Sequence, residues 1–149
     1  MDRKMFKLKI LFLGTIFILV CLHLTVNPGF AQEDAYTPPK GSQERKAILD
    51  ALRDTLKTFD VGKVVFVVRH LKVKNSWAWV ETYPQSPDGA SKYEPVDALL
   101  HKEGNNWVVK AMRPCCGECA DDPECEDIKR YYRKLMREFP SVPKEIFPW

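Results

Sequence analysis

Four short runs between Val64 and Met112 are rich in β-branched and aromatic residues, and several carry apolar side chains at both parities. Successive side chains on a strand point to opposite faces, so Trp77 and Trp79 oppose Ala78 and Val80, while Val65 and Val67 oppose Phe66 and Val68. A sheet built from such strands has two apolar faces and must be covered on both. One helix covers one face. The other is covered either by the C-terminal part of the chain or by a partner.

The strand pattern fixes the rest of the architecture. Val64–Val73 reads as a strand, Asn75-Ser76 as a turn, and Trp77–Tyr83 as a second strand that Pro84 ends, which makes a hairpin. A polar loop, Gln85–Lys92, leads to a strand over Pro95–Lys102. The Glu103-Gly104-Asn105-Asn106 turn then returns the chain into Trp107–Met112. Upstream, Ser42 is a good N-cap for a helix over Gln43–Thr58, in which Ala47, Ile48, Ala51, Leu52, Thr55, Leu56 and Phe59 recur at helical spacing. Downstream, Asp122 suits an N-cap and Pro123 the first helical position. Ile128, Tyr131, Tyr132, Leu135, Met136 and Phe139 mark one apolar face, and Pro140 stops the helix. Its acids crowd the first turn, and Lys129, Arg130, Arg133, Lys134 and Arg137 crowd the later ones, as the helix dipole favours. The tail from Ser141 to Trp149 is rich in proline and apolar groups and is expected to lie against the domain. The fold class is α+β: an N-terminal helix packed on a four-stranded antiparallel sheet, with a disulfide-clipped C-terminal helix.

The start of the chain sets the compartment. Arg3, Lys4, Lys7 and Lys9 precede an apolar run from Ile10 to Val26, and Asn27-Pro28-Gly29-Phe30-Ala31-Gln32 offers a small-x-small site for cleavage before Gln32. The competing reading is an uncleaved anchor, since the run approaches the about 20 residues that cross a bilayer core. His23 and the Pro28-Gly29 break favour the signal peptide. A lipoprotein would need a small residue before Cys21, where Val20 stands. The expected organisation is a signal peptide over 1–31, an extended leader over 32–41 containing Pro38-Pro39, and a single α+β domain over 42–149. The location is periplasmic or secreted. Removing Arg3, Lys4, Lys7, Lys9 and Asp2 reduces 23 basic and 20 acidic side chains to 19 of each, so the mature chain has no net charge. The basicity belongs to the export segment. Nucleic acid is therefore excluded as a partner, as is an anionic membrane after cleavage.

Cys115, Cys116, Cys119 and Cys125 form an even set in a chain bound for an oxidising compartment, and two disulfides are expected. A vicinal bridge between 115 and 116 is strained. That leaves 115–119 with 116–125, or 115–125 with 116–119. The alternative is a redox Cys116-x-x-Cys119, which needs a stabilised thiolate. Here Glu118, Asp121, Asp122, Glu124, Glu126 and Asp127 would raise the thiol pKa instead. Zinc is disfavoured by the adjacent cysteines and the lack of a nearby histidine, covalent haem by Ala120, and calcium because the helix dipole already accounts for the acids. No cofactor is expected.

Further candidates lie on the strands. His70 and His101 each stand beside a basic residue and read as exposed. Arg69 shares the parity of Val65, Val67, Leu71 and Val73, so it is either a charge aimed at the core, needing a partner there, or a side chain snorkelling at the sheet rim; the rim is favoured. Trp77, Trp79 and Tyr83 share a strand face, and with Trp107 beside them they would form a sugar- or peptide-binding strip, unless they pack the core.

Trp77-Ala78-Trp79-Val80 and the run from Leu99 to Val109 resemble the sheet hairpins of cystatin-like and nuclear-transport-factor-like domains. Gly41-Ser42-x-Glu44-Arg45-x-Ala47-Ile48-Leu49-Asp50-Ala51-Leu52-Arg53, followed by the Val-Phe-Val-Val strand, is similar to a family of uncharacterised exported bacterial proteins. The resemblance covers the helix and four strands and implies a curved sheet wrapped on a helix. The single N-terminal helix favours the cystatin-like branch. It implies no reaction, because such scaffolds carry enzymes, carriers and interaction modules alike.

The functional expectation is a non-enzymatic exported module that binds a protein or peptide of the cell envelope, or a second copy of itself, through the face bearing Arg69, Trp77, Trp79, Tyr83 and Trp107. The alternative is a thiol–disulfide oxidoreductase using Cys116 and Cys119. A pocket enzyme would require a carboxylate and a histidine converging in one cavity.

Overall fold

The computed structural model describes residues 34–57, 63–114 and 127–149. The signal segment, Phe59, Asp122 with Pro123, and all four clustered cysteines lie outside the described residues, and with them the cleavage, disulfide, redox and zinc expectations.

Helix α1 spans Gln43–Leu56. Ser42 caps it as expected: the backbone is extended there and its side chain accepts the Arg45 N–H. Ile48, Leu52 and Leu56 form the buried stripe. Four antiparallel strands follow as a meander in sequence order: β1 (Val65–Lys74), β2 (Trp77–Gln85), β3 (Val96–Glu103) and β4 (Asn106–Met112). Two tight turns set the register. Asn75 at φ 49 and Ser76 at φ 64 join Lys74 to its partner Trp77, and Gly104 at φ 60 opens the turn between Glu103 and Asn106. Both conformations match the twist of the flanking strands.

Pro84 does not end the second strand. It pairs with Phe66, beyond the last β2–β3 pair at Thr82 and Val96, and its carbonyl accepts the Tyr93 N–H. β2 is locally an edge at that point, so a missing N–H breaks no ladder.

The sheet is apolar on both sides, and the chain covers both. On one side α1 packs on Phe66, Leu71, Val73, Ala78, Val80, Ala98, Leu100 and Trp107. On the other, Trp77, Trp79 and Leu99 meet Tyr131, Tyr132 and Leu135 of helix α2 (Ile128–Glu138), together with Val142, Ile146 and Phe147 of the tail. The C-terminal elements thus supply the second cover. Each large side chain buried this way contributes about 1.5–3 kcal/mol relative to exposure.

Asp127 caps helix α2, accepting from the backbone N–H groups of Lys129 and Arg130, which holds its carboxyl below the usual range. Pro140 follows the helix, as expected, and a short 3-10 turn over Lys144–Ile146 docks on β1. There His70 Nε2 lies 2.7 Å from the Ile146 carbonyl, and Lys74 Nζ lies 2.8 Å from Glu145 Oε1.

Two bulges interrupt the alternation. Arg69 is the extra residue between the pairs Val68 with Thr82 and His70 with Glu81, and Lys110 is the extra residue on β4 opposite Leu99 and Leu100. A bulge shifts the parity of everything beyond it. Phe66 and Val68 therefore share the α1 side with Leu71 and Val73, whereas Val65 and Val67 are 43% and 46% exposed on the other. The shared parity of Arg69, Val65, Val67, Leu71 and Val73 in the sequence does not make a shared face.

The leader is docked rather than free. Tyr36 and Val73 exchange both backbone hydrogen bonds, at 3.0 and 2.8 Å, so Tyr36 adds a one-residue stub to the outer edge of β1. Tyr36 also donates its hydroxyl to Glu44, Arg45 donates to the Pro38 carbonyl, and Pro38 is fully buried.

Candidate functional site

The aromatic residues singled out in the sequence do not form one surface. Trp79 is fully buried, edge-on to Tyr132 at 5.4 Å and to Phe147 at 5.2 Å. Trp77 is enclosed by His101, at 4.3 Å between ring centroids, and by Phe139 at 5.6 Å. Trp107 pairs with Lys102 and lies on the α1 side, across the sheet from both. The separation follows from the register, which places Trp77 opposite His101, one residue out of phase with Lys102. Of the five residues proposed as a face, Tyr83 and Arg69 are the ones left at the surface.

Those two line a cleft of about 480 Å³ to which Ile128 and Tyr132 of α2 also contribute. Arg69, Glu81, Tyr83, Asp97, Arg113 and Tyr132 supply its polar lining. The strand register brings the acids together. Glu81 and Asp97 are direct partners across β2 and β3, on the face of Trp79 and Leu99. Like charges directly opposite one another destabilise a sheet. Burial pushes the Asp97 carboxyl above its ordinary range, the nearby Glu81 charge adds to this, and Arg113 partly offsets it.

Each group has a defined support. Glu81 Oε1 accepts from Trp79 Nε1 at 3.1 Å and from the Tyr132 hydroxyl at 3.0 Å. Burial, then the Glu81 charge, raises the Tyr132 phenol far above its usual range, so this hydroxyl stays a donor. No described residue donates to Glu81 Oε2, and no buried side-chain oxygen of the described residues lacks a partner, so Oε2 is open to the cleft. Arg113 follows β4. Its backbone N–H donates to the Asp97 carbonyl at 2.9 Å, and its guanidinium lies 3.6 Å from Asp97 Oδ2. Arg69, turned out by its bulge, donates one N–H to the Tyr83 hydroxyl at 3.0 Å, and this bond further favours its charged form.

His70 also lines the cleft. A carbonyl only accepts, so the 2.7 Å contact with Ile146 fixes the proton on Nε2 and makes the ring an anchor for the tail. His101 lies tilted against Trp77 and is not among the residues lining the cleft; its Nδ1 is 3.9 Å from Glu103 Oε1.

Chemically, the cleft offers a guanidinium fork at one wall and open carboxylate oxygen at another, above an apolar patch that includes Ile128 and Pro148. Glu81, Asp97, Arg113 and Tyr132 were not singled out from sequence. Their signal was present: Glu81 is in phase with Trp77 and Trp79, and Asp97 with Leu99, each a charge on the apolar side of its strand. Among the described residues no three His, Cys, Asp or Glu side chains gather as a metal site, and no helix is long and apolar enough to cross a membrane.

No protein-family model, no curated protein and no solved structure matches this chain.

Proposed function

We propose that this chain is an exported, non-enzymatic binding module that takes its ligand in the cleft between Arg69, Glu81 and Asp97. The observation that carries the reading is a contrast in coverage. Both apolar faces of the sheet are occupied by the chain's own helices and tail, while the charged cleft keeps hydrogen-bonding groups that nothing in the described chain uses. Its volume falls in the range of about 300–1,000 Å³ typical of small-ligand sites. Engagement of His70 by the tail favours binding over acid–base chemistry. Export rests on the N-terminal segment, and location in the periplasm or medium follows from it.

The test is a thermal-shift screen of the full chain, expressed with its own leader and purified from the envelope, against a chemically diverse small-molecule library. Compounds that stabilise the wild type but not an Arg69→Ala/Glu81→Gln variant are expected. Hits that act equally on both proteins, or no hits at all, would reject the cleft as the site.

The same proposal includes two disulfides among Cys115, Cys116, Cys119 and Cys125, clipping the end of β4 to α2. Support comes from the even count, the export segment and the position of these residues between Arg113 and Asp127. Intact-mass measurement after alkylation, with and without prior reduction, should show four added groups only in the reduced sample.

A further inference from the structure

We propose that the cleft recognises a small zwitterion, a molecule carrying both an ammonium and a carboxylate group, as free amino acids and short peptides do; this rests on the cleft being the binding site. Among the described residues the cleft is lined by two guanidinium groups, Arg69 and Arg113, and two carboxylates, Glu81 and Asp97, so the formal charge of this lining is balanced. The balance is not achieved by direct pairing throughout. Arg113 faces Asp97, but Arg69 makes no ion pair within 4.0 Å with either acid, although both are near enough to stabilise its charge. Its one hydrogen bond goes to Tyr83, which leaves most of its planar fork for an oxyanion. Glu81 has the mirror-image arrangement: Oε1 is held by Trp79 and Tyr132, and Oε2 is open.

Opposite charges held apart in one cleft discriminate by shape of charge. A simple anion that reaches Arg69 meets the paired carboxylates, and a simple cation that reaches Glu81 meets the guanidinium groups. A dipolar ligand, with its carboxylate on Arg69 and its ammonium on Glu81 and Asp97, satisfies both ends and replaces the water that each end gives up. It also relieves the like-charge contact across β2 and β3, by placing a cation between the two acids. Ile128, Tyr132, Pro95 and Pro148 form the remaining wall, which suits an apolar side chain on the ligand.

The experiment uses the full exported chain and four probes, L-leucine, L-leucinamide, N-acetyl-L-leucine and dileucine, followed by isothermal calorimetry. Leucine or dileucine should bind, and whichever binds more tightly tells whether the source is a free amino acid or a peptide. Leucinamide lacks the carboxylate and N-acetyl-leucine lacks the ammonium, so each should bind at least tenfold more weakly. The variants separate recognition from folding. Arg69 is exposed, and glutamine keeps the acceptor that Trp79 and Tyr132 need, so Arg69→Ala and Glu81→Gln should both fold. Arg69→Ala should abolish the preference for leucine over leucinamide alone, and Glu81→Gln the preference for leucine over N-acetyl-leucine alone. Equal binding of the blocked compounds by the wild type, or preferences that survive the matching substitution, would overturn the zwitterion. If screened compounds bind the cleft but neither leucine nor dileucine does, the zwitterion falls while the cleft stands. If nothing binds there, both fall.

Discussion

Lys74 Nζ lies 2.8 Å from Glu145 Oε1, an ion pair joining the end of the first strand to the turn that closes the chain. The two ends differ in environment: the Lys74 side chain is 3% exposed and that of Glu145 is 41% exposed. Removing Glu145 strands a buried ammonium, whereas removing Lys74 leaves a carboxylate that water can solvate. Glu145→Gln is therefore expected to lower Tm by several degrees, and Lys74→Met by less. The pair also carries a pH dependence. The Lys74 hydrogen bond holds the Glu145 carboxyl below its ordinary range, so its stabilisation is complete above that range and is lost as pH falls through the folded value. Across the acid range the thermal melts of the wild type and Glu145→Gln should converge at the lowest pH, where both place a neutral group beside Lys74.

Tyr132 and Trp79 share one acceptor, and their contributions separate by substitution. Tyr132→Phe keeps the ring against Phe147 and deletes a hydrogen bond to a carboxylate, for an expected loss of about 1.5–3 kcal/mol. Trp79→Ala empties a fully buried site and should remove about 3–5 kcal/mol. Urea titrations with unchanged slopes would measure both. A smaller loss for Trp79→Ala than for Tyr132→Phe would contradict the packing described for this face.

Ser76 adopts a left-handed conformation, at φ 64, that residues with a Cβ seldom occupy. Glycine fits that position without strain. Ser76→Gly is expected to stabilise the protein by about 1 kcal/mol, read as a shifted urea midpoint. The Ser76 carbonyl accepts from Lys102, and this bond does not depend on the side chain. A destabilised variant would show that the serine hydroxyl has a role of its own in the turn.

Asp97 should give the opposite pH signature to Glu145. Its carboxyl holds a proton to higher pH when folded, so folding takes up a proton, and its contribution declines as pH rises from the ordinary carboxyl range through the raised folded value. Asp97→Asn keeps an acceptor near Arg113 and removes the titration. The variant's stability should fall less steeply than the wild type's across that window. Parallel curves would mean that Asp97 is not desolvated as its place beside Glu81 implies.

Local structure in this chain was legible because each signal acts over a few residues. The Ser42 cap, the stripe of Ile48, Leu52 and Leu56, and the breaks at Asn75-Ser76 and at Gly104 need no distant partner to be recognised. The two-faced sheet and the need for two covers were equally readable, since they follow from alternation within β2. What was lost depends on pairing. Nothing in the composition of Val68-Arg69-His70 announces an inserted residue, yet that bulge decides which side Val65 and Val67 take and where Arg69 points. Trp107 was misplaced for a related reason: its face is set by which residue of β3 it pairs with, and a one-residue change in register exchanges the two faces. The cleft was hidden because its acids come from two strands and its second arginine from the end of a third. Their meeting is a property of the ladder.

The docked leader has a mechanical consequence. Tyr36 is fastened to Val73 by two backbone hydrogen bonds on the outermost strand, with Pro38 buried just behind it. A pull on the N-terminal side of the domain would load this clasp before it strained the sheet, and the clasp would part a bond at a time. The outer edge of β1 is thus guarded by the element that yields first, and the main ladder keeps its register while the leader peels.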